Sequence, residues 1–185
     1  ANLFPAVIKN FEDKMNFERD YKIADIRAII LVEDNPRYYS IILPLIYRTA
    51  LLHARNLINK SLSDTDRLLL FRARPKIILV SSYEEAVKYY DDYRHNILGF
   101  ISDVRFPKNN ELDDHAGIKL AEYIRKKDSD MPIILQSTNP HHNEDANAIN
   151  ASFIHKKTSS LLQELENFIV NNFGFGDFIF RNNRG

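Results

Sequence analysis

Five short apolar runs divide the middle of the chain. They are rich in Ile and Val and near-continuous rather than alternating, as in strands that are buried on both faces of a parallel sheet. The runs span residues 26–32, 77–80, 97–101, 133–135 and 153–154. Segments with apolar residues at helical spacing separate them. This alternation predicts a doubly wound α/β domain with a five-stranded parallel sheet in the order 2-1-3-4-5.

Three of the predicted helices follow the later strands. Residues 84–94 carry Ala86, Val87, Tyr90 and Tyr93 at helical spacing, and a second helix around Ile118–Ile124 ends in a basic group that suits the negative end of its dipole. Ser159 or Ser160 is expected to cap a last helix, with Gly174 just beyond its end.

Two segments are extra to this plan. Residues 1–25 are predicted to form an N-terminal helical extension, because one helical stripe collects the apolar residues Phe4, Val7, Ile8, Phe11 and Met15. Residues 36–74 are too long for an ordinary crossover and predict a long helix, kinked at Pro44, with a second piece around 68–71. Two interpretations stay open: a helical projection with its own partner, or a longer helix that covers the chain's own core.

The C-terminal segment 173–185 is unusually aromatic, with Phe173, Phe175, Phe178 and Phe180 close together. A free terminus seldom carries so much apolar surface. These side chains are expected either to fold back on the domain's own core or to lead into a following domain that is missing here.

Composition excludes several classes of protein. The 185 residues include no Cys, which rules out a disulfide scaffold and cysteine-ligated zinc or iron–sulfur sites. Lys plus Arg equals Asp plus Glu, 25 against 25, so the net charge is zero and no surplus of positive charge is available for nucleic acid. No apolar run is long enough to span a membrane. We expect a cytoplasmic protein that binds neither nucleic acid nor membranes.

Polar residues stand at the carboxyl ends of the apolar runs. Glu33 and Asp34 follow the first run, Asp103 ends the third, Ser137 closes the fourth and Lys156 follows the fifth. These ends lie side by side in a parallel sheet, so the residues are expected to converge on one crevice. Three carboxylates repel one another unless a cation joins them, and oxygen ligands suit Mg²⁺. The set predicts a site that holds a phosphoryl group next to Mg²⁺.

The same positions carry a resemblance to a known family. Residues 26–172 resemble the receiver domain of two-component response regulators, which has a flavodoxin- or CheY-like sheet. The matching pieces are Ile-Leu-Val-Glu-Asp-Asn at 30–35, Ile-Ser-Asp-Val-Arg-Phe-Pro at 101–107, Pro-Ile-Ile-Leu-Gln-Ser at 132–137 and Phe-Ile-His-Lys at 153–156. The resemblance implies a regulatory switch rather than a metabolic enzyme.

The resemblance assigns a role to each acid. Asp103 would be the phosphoacceptor and a metal ligand. Asp34 would bind Mg²⁺ directly, and Glu33 would act largely through a coordinated water. The backbone carbonyl of Arg105 would complete the protein ligands.

Three further residues receive roles from the same resemblance. Ser137 would donate a hydrogen bond to one phosphoryl oxygen, and Lys156 would pair with another. Phe153 would be the aromatic side chain whose rotamer follows phosphorylation. The implied partners are a histidine kinase or a small-molecule phosphodonor and a downstream domain of the same chain. The stripe in residues 1–17 also points to a homodimer.

Some positions depart from the family pattern. Lys157 replaces the usual Pro after the lysine, Thr138 stands where Ala or Gly is preferred, and 69 positions separate Asp34 from Asp103, which is longer than usual. An alternative therefore stays open: a pseudo-receiver that acts as a protein-interaction module without phosphorylation. A phosphatase of the haloacid dehalogenase type is disfavoured, because it needs a second acid where Arg105 stands.

Two weaker signals complete the sequence picture. His141 and His142, with acids nearby, are expected to form a solvated surface rather than a metal site. A narrower resemblance connects residues 72–76, 102–107 and 173–178 with receivers at the front of larger bacterial proteins. Those proteins continue into domains similar to phosphoenolpyruvate synthase or pyruvate phosphate dikinase, so the full-length protein is expected to carry an enzyme domain.

Overall fold

The computed structural model describes residues 3–60 and 74–173. Its helices are α1 (Leu3–Ala24), α2 (Pro36–Lys60), α3 (Tyr83–Tyr93), α4 (Ala116–Arg125), α5 (His142–Ala148) and α6 (Leu161–Asn172). Its strands are β1 (Ala28–Val32), β2 (Lys76–Val80), β3 (Ile97–Asp103), β4 (Phe106–Lys108), β5 (Glu111–Asp113), β6 (Ile133–Ser137) and β7 (Ser152–His155). None of the helices in these two ranges is both long and apolar enough to cross a membrane.

The main sheet is parallel, with the strand order β2-β1-β3-β6-β7. When the two strands of a separate small hairpin, β4 and β5, are left out of the count, this is the predicted order 2-1-3-4-5. All five residues of β1 and all seven of β3 are buried. These strands are apolar at nearly every position because helices cover both faces of the sheet, as predicted.

Alternate strand residues point into two separate cores. Ile30 and Val32 face a core with α3, α4 and α5, whereas Ile29 and Leu31 face a core with α2 and α6. Helix α2 runs through Pro44 and buries Ile42, Leu43, Leu45, Ile46, Tyr47 and Ala50. Within residues 36–53, whose side chains the structure describes, this buried face covers the sheet, whereas Ile41, Leu51 and Leu52 are exposed. The second helical piece predicted at 68–71 lies outside the described residues.

The predicted N-terminal helix is present, but its apolar stripe faces solvent. Phe4, Phe11 and Met15 are 75%, 66% and 69% exposed, and Val7 and Ile8 are also exposed. The buried face of α1 consists instead of Ala6, Asn10, Asp13 and Phe17. Two of these four residues are polar, so the burying face of the helix carries no hydrophobic signal in the sequence.

This polar face of α1 binds the edge strand β2. The Asn10 side-chain amide donates to the Ile77 carbonyl (2.7 Å), and the Ile77 N–H donates to the Asp13 carboxylate (3.2 Å). Lys14 donates to the Leu79 carbonyl (3.1 Å). An edge strand has unpaired backbone groups that can recruit other chains. Helix α1 satisfies several of them with side chains.

Asp13 lies at the centre of what we call the edge cluster: Asp13, Tyr47, Arg74 and Lys76. Its carboxylate is fully buried and accepts hydrogen bonds from Arg74 (2.7 and 3.1 Å) and from the Tyr47 hydroxyl (2.8 Å), with Lys76 at 3.4 Å. Burial and the Asp13 charge raise the pKa of Tyr47, so its hydroxyl keeps the proton that it donates. Lys76 also pairs with Asp20 (2.8 Å). The two positive charges of Arg74 and Lys76 therefore balance the two negative charges of Asp13 and Asp20.

The last helix differs in detail from its prediction. Ser160 stands at the N-cap position of α6, but its side chain does not cap the helix backbone. It bonds to Thr158 and Glu164 instead. The first residue of the aromatic tail, Phe173, folds back onto the core and is 1% exposed. A Cβ at Gly99 would lie 2.3 Å from the Phe173 ring, so glycine makes the space for it. Residues 174–185 lie outside the described ones.

Candidate functional site

The carboxyl ends of β1, β3, β6 and β7 form one rim of the sheet, and the predicted residues meet there. Glu33 follows β1, Asp103 ends β3, Ser137 ends β6 and Lys156 follows β7. Asp103, Ser137 and Lys156 border a crevice of about 690 Å³ that is also lined by Asp34, Arg105, Thr138 and residues of α5, whereas Glu33 is buried behind it. Of the predicted site residues, Phe153 lies apart, partly buried against the core of α3, α4 and α5.

Lys156 joins two acids from different strands. Its ammonium group lies 2.6 Å from Glu33 Oε2 and 2.7 Å from Asp103 Oδ2, and its side chain is almost fully buried. The other oxygen of Asp103 accepts the N–H of Val104 (2.7 Å), and Glu33 Oε1 accepts the N–H of Asn35 (3.2 Å). These bonds fix the orientation of both carboxylates.

Asp34 adds a third carboxylate to this set, which we call the crevice cluster: Glu33, Asp34, Asp103 and Lys156. Carboxylate oxygens of the three acids lie within 4.8 Å of one another. Burial, and after it the charge of Asp103, raises the pKa of Glu33 to about 7, although Lys156 acts in the opposite direction. Burial is also the main cause that raises the pKa of Asp34. One ammonium group does not offset three carboxylates, so the cluster has a surplus of negative charge.

The three acids fit a divalent cation of the Mg²⁺ type. The donor set is oxygen-only, converges within 4.8 Å and opens to a crevice that has space for water ligands. Burial, and after it the charge of Asp103, raises the pKa values of Glu33 and Asp34, and a bound cation would act in the opposite direction. The Arg105 charge lowers the pKa of Asp34 only as a minor cause, and its side chain pairs with Asp114 (2.9 Å) at the exposed rim.

Ser137 is held by a residue that the sequence analysis assigned wrongly. Its hydroxyl oxygen accepts the N–H of Asn139 (3.0 Å) and lies 2.9 Å from Nδ1 of His142. His142 is buried, not solvated, whereas His141 is exposed as predicted. Burial and the nearby His115 lower the pKa of His142, which favours the neutral ring. Helix α5 begins at His142, and this ring points inward. Two adjacent histidines in a sequence do not show which of them is buried.

Tyr38 was also missed. Its ring lies 4.0 Å from the Lys156 ammonium group, in a cation–π contact from the first turn of α2. The ring covers the one ammonium group of the crevice cluster and limits its movement.

The segment after Asp103 forms an ordered hairpin. Strands β4 and β5 pair across a two-residue turn, Asn109-Asn110, in which both residues have positive φ (53° and 64°). Paired Asn residues tolerate such a turn, so the sequence did contain this signal. Gly117 then brings α4 against the backbone after Asp103, since a Cβ there would lie 2.2 Å from the Asp103 carbonyl oxygen. The hairpin shapes one wall of the crevice.

Comparisons with known proteins agree with the fold. No family model and no curated protein matches the sequence. Solved structures do resemble it. The chemotaxis protein CheY4 of Vibrio cholerae is 15% identical, covers 77% of this chain and 98% of its own, and superposes with a TM-score of 0.50. The phosphorylated cyanobacterial phytochrome response regulator RcpA is 17% identical over 78% of this chain and 91% of its own, with a TM-score of 0.47. The match to CheY4 shows that the chain has the CheY-like fold predicted from its sequence.

Proposed function

We propose that the chain is a phosphoacceptor signalling switch of the two-component type, in which residues 26–172 form a receiver domain and Asp103 takes up a phosphoryl group. One observation carries this proposal: Lys156 contacts both Glu33 and Asp103, beside Asp34, at an open crevice. This arrangement combines a carboxylate that can act as nucleophile with a surplus of negative charge that a metal ion would offset.

The described side chains suit phosphoryl transfer. An Asp103 oxygen would attack the phosphorus atom of the donor while the bond from phosphorus to the leaving atom breaks, and an acyl phosphate would form. Lys156 would exchange its contact with Asp103 for one with a phosphoryl oxygen. The Ser137 hydroxyl would donate to a second oxygen. Water attack on phosphorus would later restore Asp103, so the reaction resets a switch rather than making a metabolic product.

Glu33, Asp34 and Asp103, with the backbone carbonyl of Arg105, would hold Mg²⁺. The ion would neutralise charge on the carboxylates and on the incoming phosphoryl group. The Val104 N–H and the Lys156 ammonium group hold the Asp103 carboxylate in place on one side. Its opposite side would stay open to the phosphodonor.

The signal would leave through surfaces next to this site. Phe153, three residues before Lys156, is only partly buried, and its rotamer would respond to phosphorylation. The donor would be a histidine kinase or a small phosphodonor, and the target a downstream domain beyond the tail at 173–185. A target similar to phosphoenolpyruvate synthase or pyruvate phosphate dikinase stays a prediction from the narrower sequence resemblance.

The N-terminal extension, residues 1–25, supports a homodimer. Six exposed apolar residues of α1 form one stripe: Leu3, Phe4, Val7, Ile8, Phe11 and Met15. At about 200 Å² for a large side chain, they offer roughly 600 Å² per chain. A standard interface buries about 800 Å² per partner, so two such stripes with their polar rims suffice. Phe4, Ile8, Phe11 and Met15 also follow the alternating 4-3-4 spacing of a helix-pairing seam.

Phe11→Glu tests this dimer. Sedimentation of the wild type across a concentration series should show a dimer, and the variant should be monomeric. Ile23→Glu is the matched control, because Ile23 is 77% exposed on the same helix but outside the stripe. A wild type that stays monomeric, or a loss of association in both variants, would contradict the assignment.

A pseudo-receiver is the second candidate function. The observation that favours it is the Ser137–His142 contact, since it engages the hydroxyl that a phosphoryl oxygen would need. Thr138 at the crevice wall adds bulk beside Asp103. Such a protein would use the same fold as an interaction module and would not respond to phosphorylation.

Beryllofluoride with Mg²⁺ separates the two candidates, because it mimics an aspartyl phosphate. Amide NMR shifts of the wild-type chain are expected to change saturably around Asp103, Ser137 and Lys156, and to stay unchanged in Asp103→Asn. Asp91→Asn is the matched control, since Asp91 is an exposed acid away from the crevice. An unresponsive wild type would exclude the phosphoacceptor and favour the pseudo-receiver.

A further inference from the structure

A second group of potential metal ligands lies at the mouth of the crevice. It comprises His115, at the start of α4, and His142 and Asp145, which are three residues apart on α5. Ligand atoms of all three lie within 4.8 Å of one another, and the two imidazole rings meet edge to face with centroids 5.4 Å apart. The sequence separates His115 from the other two by more than 25 positions, so only the fold brings this group together.

The donor types differ from those of the crevice cluster. Two imidazole nitrogens and one carboxylate are a set that suits Zn²⁺ and its first-row neighbours, whereas Mg²⁺ prefers oxygen ligands alone. Three protein ligands with an open side are also the arrangement of zinc sites that keep one position for water or a ligand. His115 and Asp145 are exposed and can adjust, while His142 is buried and fixed.

His142 already has the second contact that metal-binding histidines require. Its Nδ1 atom lies 2.9 Å from the Ser137 hydroxyl, which also accepts the N–H of Asn139. A metal-bound histidine usually donates its other ring N–H to a nearby acceptor, and this bond fixes the ring orientation and tautomer. The contact with Ser137 leaves Nε2 as the nitrogen for the metal.

We propose that His115, His142 and Asp145 bind a divalent first-row transition metal ion of the Zn²⁺ class at the mouth of the crevice. The site is separate from the three acids of the crevice cluster and requires no phosphorylation.

The His142–Ser137 contact also connects the metal site with the phosphorylation site, and this step rests on the proposed function. When Nε2 binds the metal, Nδ1 carries the ring proton and donates it to Ser137. The Ser137 hydroxyl then keeps its own proton free to donate to a phosphoryl oxygen on Asp103. Without metal, the Ser137 proton can instead point to Nδ1. Metal binding therefore selects the donor state that an aspartyl phosphate needs.

Co²⁺ titration of the purified chain without Mg²⁺ tests the site, with visible absorption as the readout. The wild type is expected to saturate at one equivalent with the ligand-field bands of a nitrogen-bound ion, and excess Zn²⁺ should displace it. His115→Ala and Asp145→Asn remove exposed ligands and should abolish the bands of the nitrogen-bound ion. Ser137→Ala should weaken it about 10- to 100-fold, the usual effect of losing a second contact.

Two control variants make the result specific. His141→Ala removes the adjacent, exposed histidine and should bind as the wild type does. Asp34→Ala disables the crevice cluster and should leave the bands of the nitrogen-bound Co²⁺ ion unchanged. A wild type without nitrogen-bound bands, equal loss in His141→Ala, or loss in Asp34→Ala with retention in His115→Ala would each overturn the site.

The beryllofluoride response distinguishes failure of this site from failure of the proposed function. His115→Ala should still respond to Mg²⁺ and beryllofluoride, whereas Zn²⁺ should strengthen the response in the wild type only. A response that Zn²⁺ does not change would overturn the link to Ser137 and leave the metal site itself in place.

Discussion

Two buried groups of charges lie at different edges of the same sheet and differ in their balance. In the edge cluster, the Asp13 carboxylate has a donor for each oxygen: Arg74, the Tyr47 hydroxyl and the Ile77 N–H. In the crevice cluster, one lysine meets three acids. In the edge cluster, the buried carboxylate has all its hydrogen-bond donors. The crevice cluster is open to a cavity and has an excess of negative charge.

This difference separates a structural role from a binding role. A buried ion group that is fully paired fixes one arrangement of the chain, and removal of one partner leaves an uncompensated charge. A group with surplus charge of one sign favours the arrival of a counter-ion, and it gains stability when one like charge is removed. Unfolding measurements on matched variants can therefore test which role each cluster has.

The largest effect is expected for Asp13→Ala. The change leaves Arg74 and the Ile77 N–H without their buried acceptor and detaches α1 from β2, so the free energy of unfolding should fall by about 3–5 kcal/mol. Urea denaturation measures it. Glu12→Ala, an exposed neighbour on α1, should change stability by less than about 0.5 kcal/mol. If both variants unfold alike, the edge cluster does not hold the helix. Tyr47→Phe gives a milder test, with a loss of about 1 kcal/mol.

Lys156→Met is expected to have the next largest effect, and the effect should depend on pH. Without the ammonium group, Glu33 and Asp103 are buried beside each other without a partner, and the loss near pH 8 should be about 3 kcal/mol. Near pH 5 a protonated Glu33 relieves the repulsion, so the loss should be smaller. Urea denaturation at both pH values measures the difference. A loss of stability that does not depend on pH would contradict the proposed charge interaction between Lys156, Glu33 and Asp103.

The pKa of Glu33 predicts a slope of stability with pH. Its folded pKa, about 7, lies above the usual 4.5, so the folded chain binds this proton more tightly than the unfolded chain. The Glu33 contribution is therefore fully favourable below about pH 4.5 and is lost as the pH rises through 7. The loss is on the order of 3 kcal/mol.

Thermal unfolding of the wild type and Glu33→Gln between pH 5 and 8 checks this slope. The wild type should lose stability relative to the variant as the pH rises, because glutamine cannot ionise. Mg²⁺ should reduce the loss, since it binds the ionised acids. Parallel curves for the two proteins, with and without Mg²⁺, would show that Glu33 ionises normally.

The smallest effect is expected for Asp103→Asn, and its sign is opposite to that of Asp13→Ala. The substitution removes one of three like charges and lowers the pKa of Glu33, so the metal-free chain should gain about 1 kcal/mol. The same variant should lose stabilisation by Mg²⁺. Chemical denaturation in EDTA and in Mg²⁺ measures both. A clear destabilisation in EDTA would mean that Asp103 is a structural residue like Asp13.

The sheet and the crevice could be predicted because their signals are local. Each strand is an apolar run, and each site residue stands where a run ends, so the topology of a parallel sheet brings Glu33, Asp103 and Lys156 together. The helix α1 was predicted for the same reason, from its apolar stripe. The inference fails where a residue's environment depends on a distant partner.

The edge cluster and His142 show this limit. Asn10 and Asp13 look like surface residues in the sequence, and they are buried only because β2 offers unpaired backbone groups. His142 is buried because Ser137 lies beneath it. The exposed stripe of α1 is the converse case, since the hydrophobic face of the helix is the one that the sheet does not use.

Covalent modification of Asp103 tests the central claim most directly. The chain is incubated with acetyl phosphate and Mg²⁺, quenched in acid and measured by intact-mass spectrometry. We expect one added phosphoryl group per chain in the wild type and in the control Asp91→Asn, which changes an exposed acid, but none in Asp103→Asn and none in EDTA. A wild type that gains no phosphoryl group under these conditions would contradict the account.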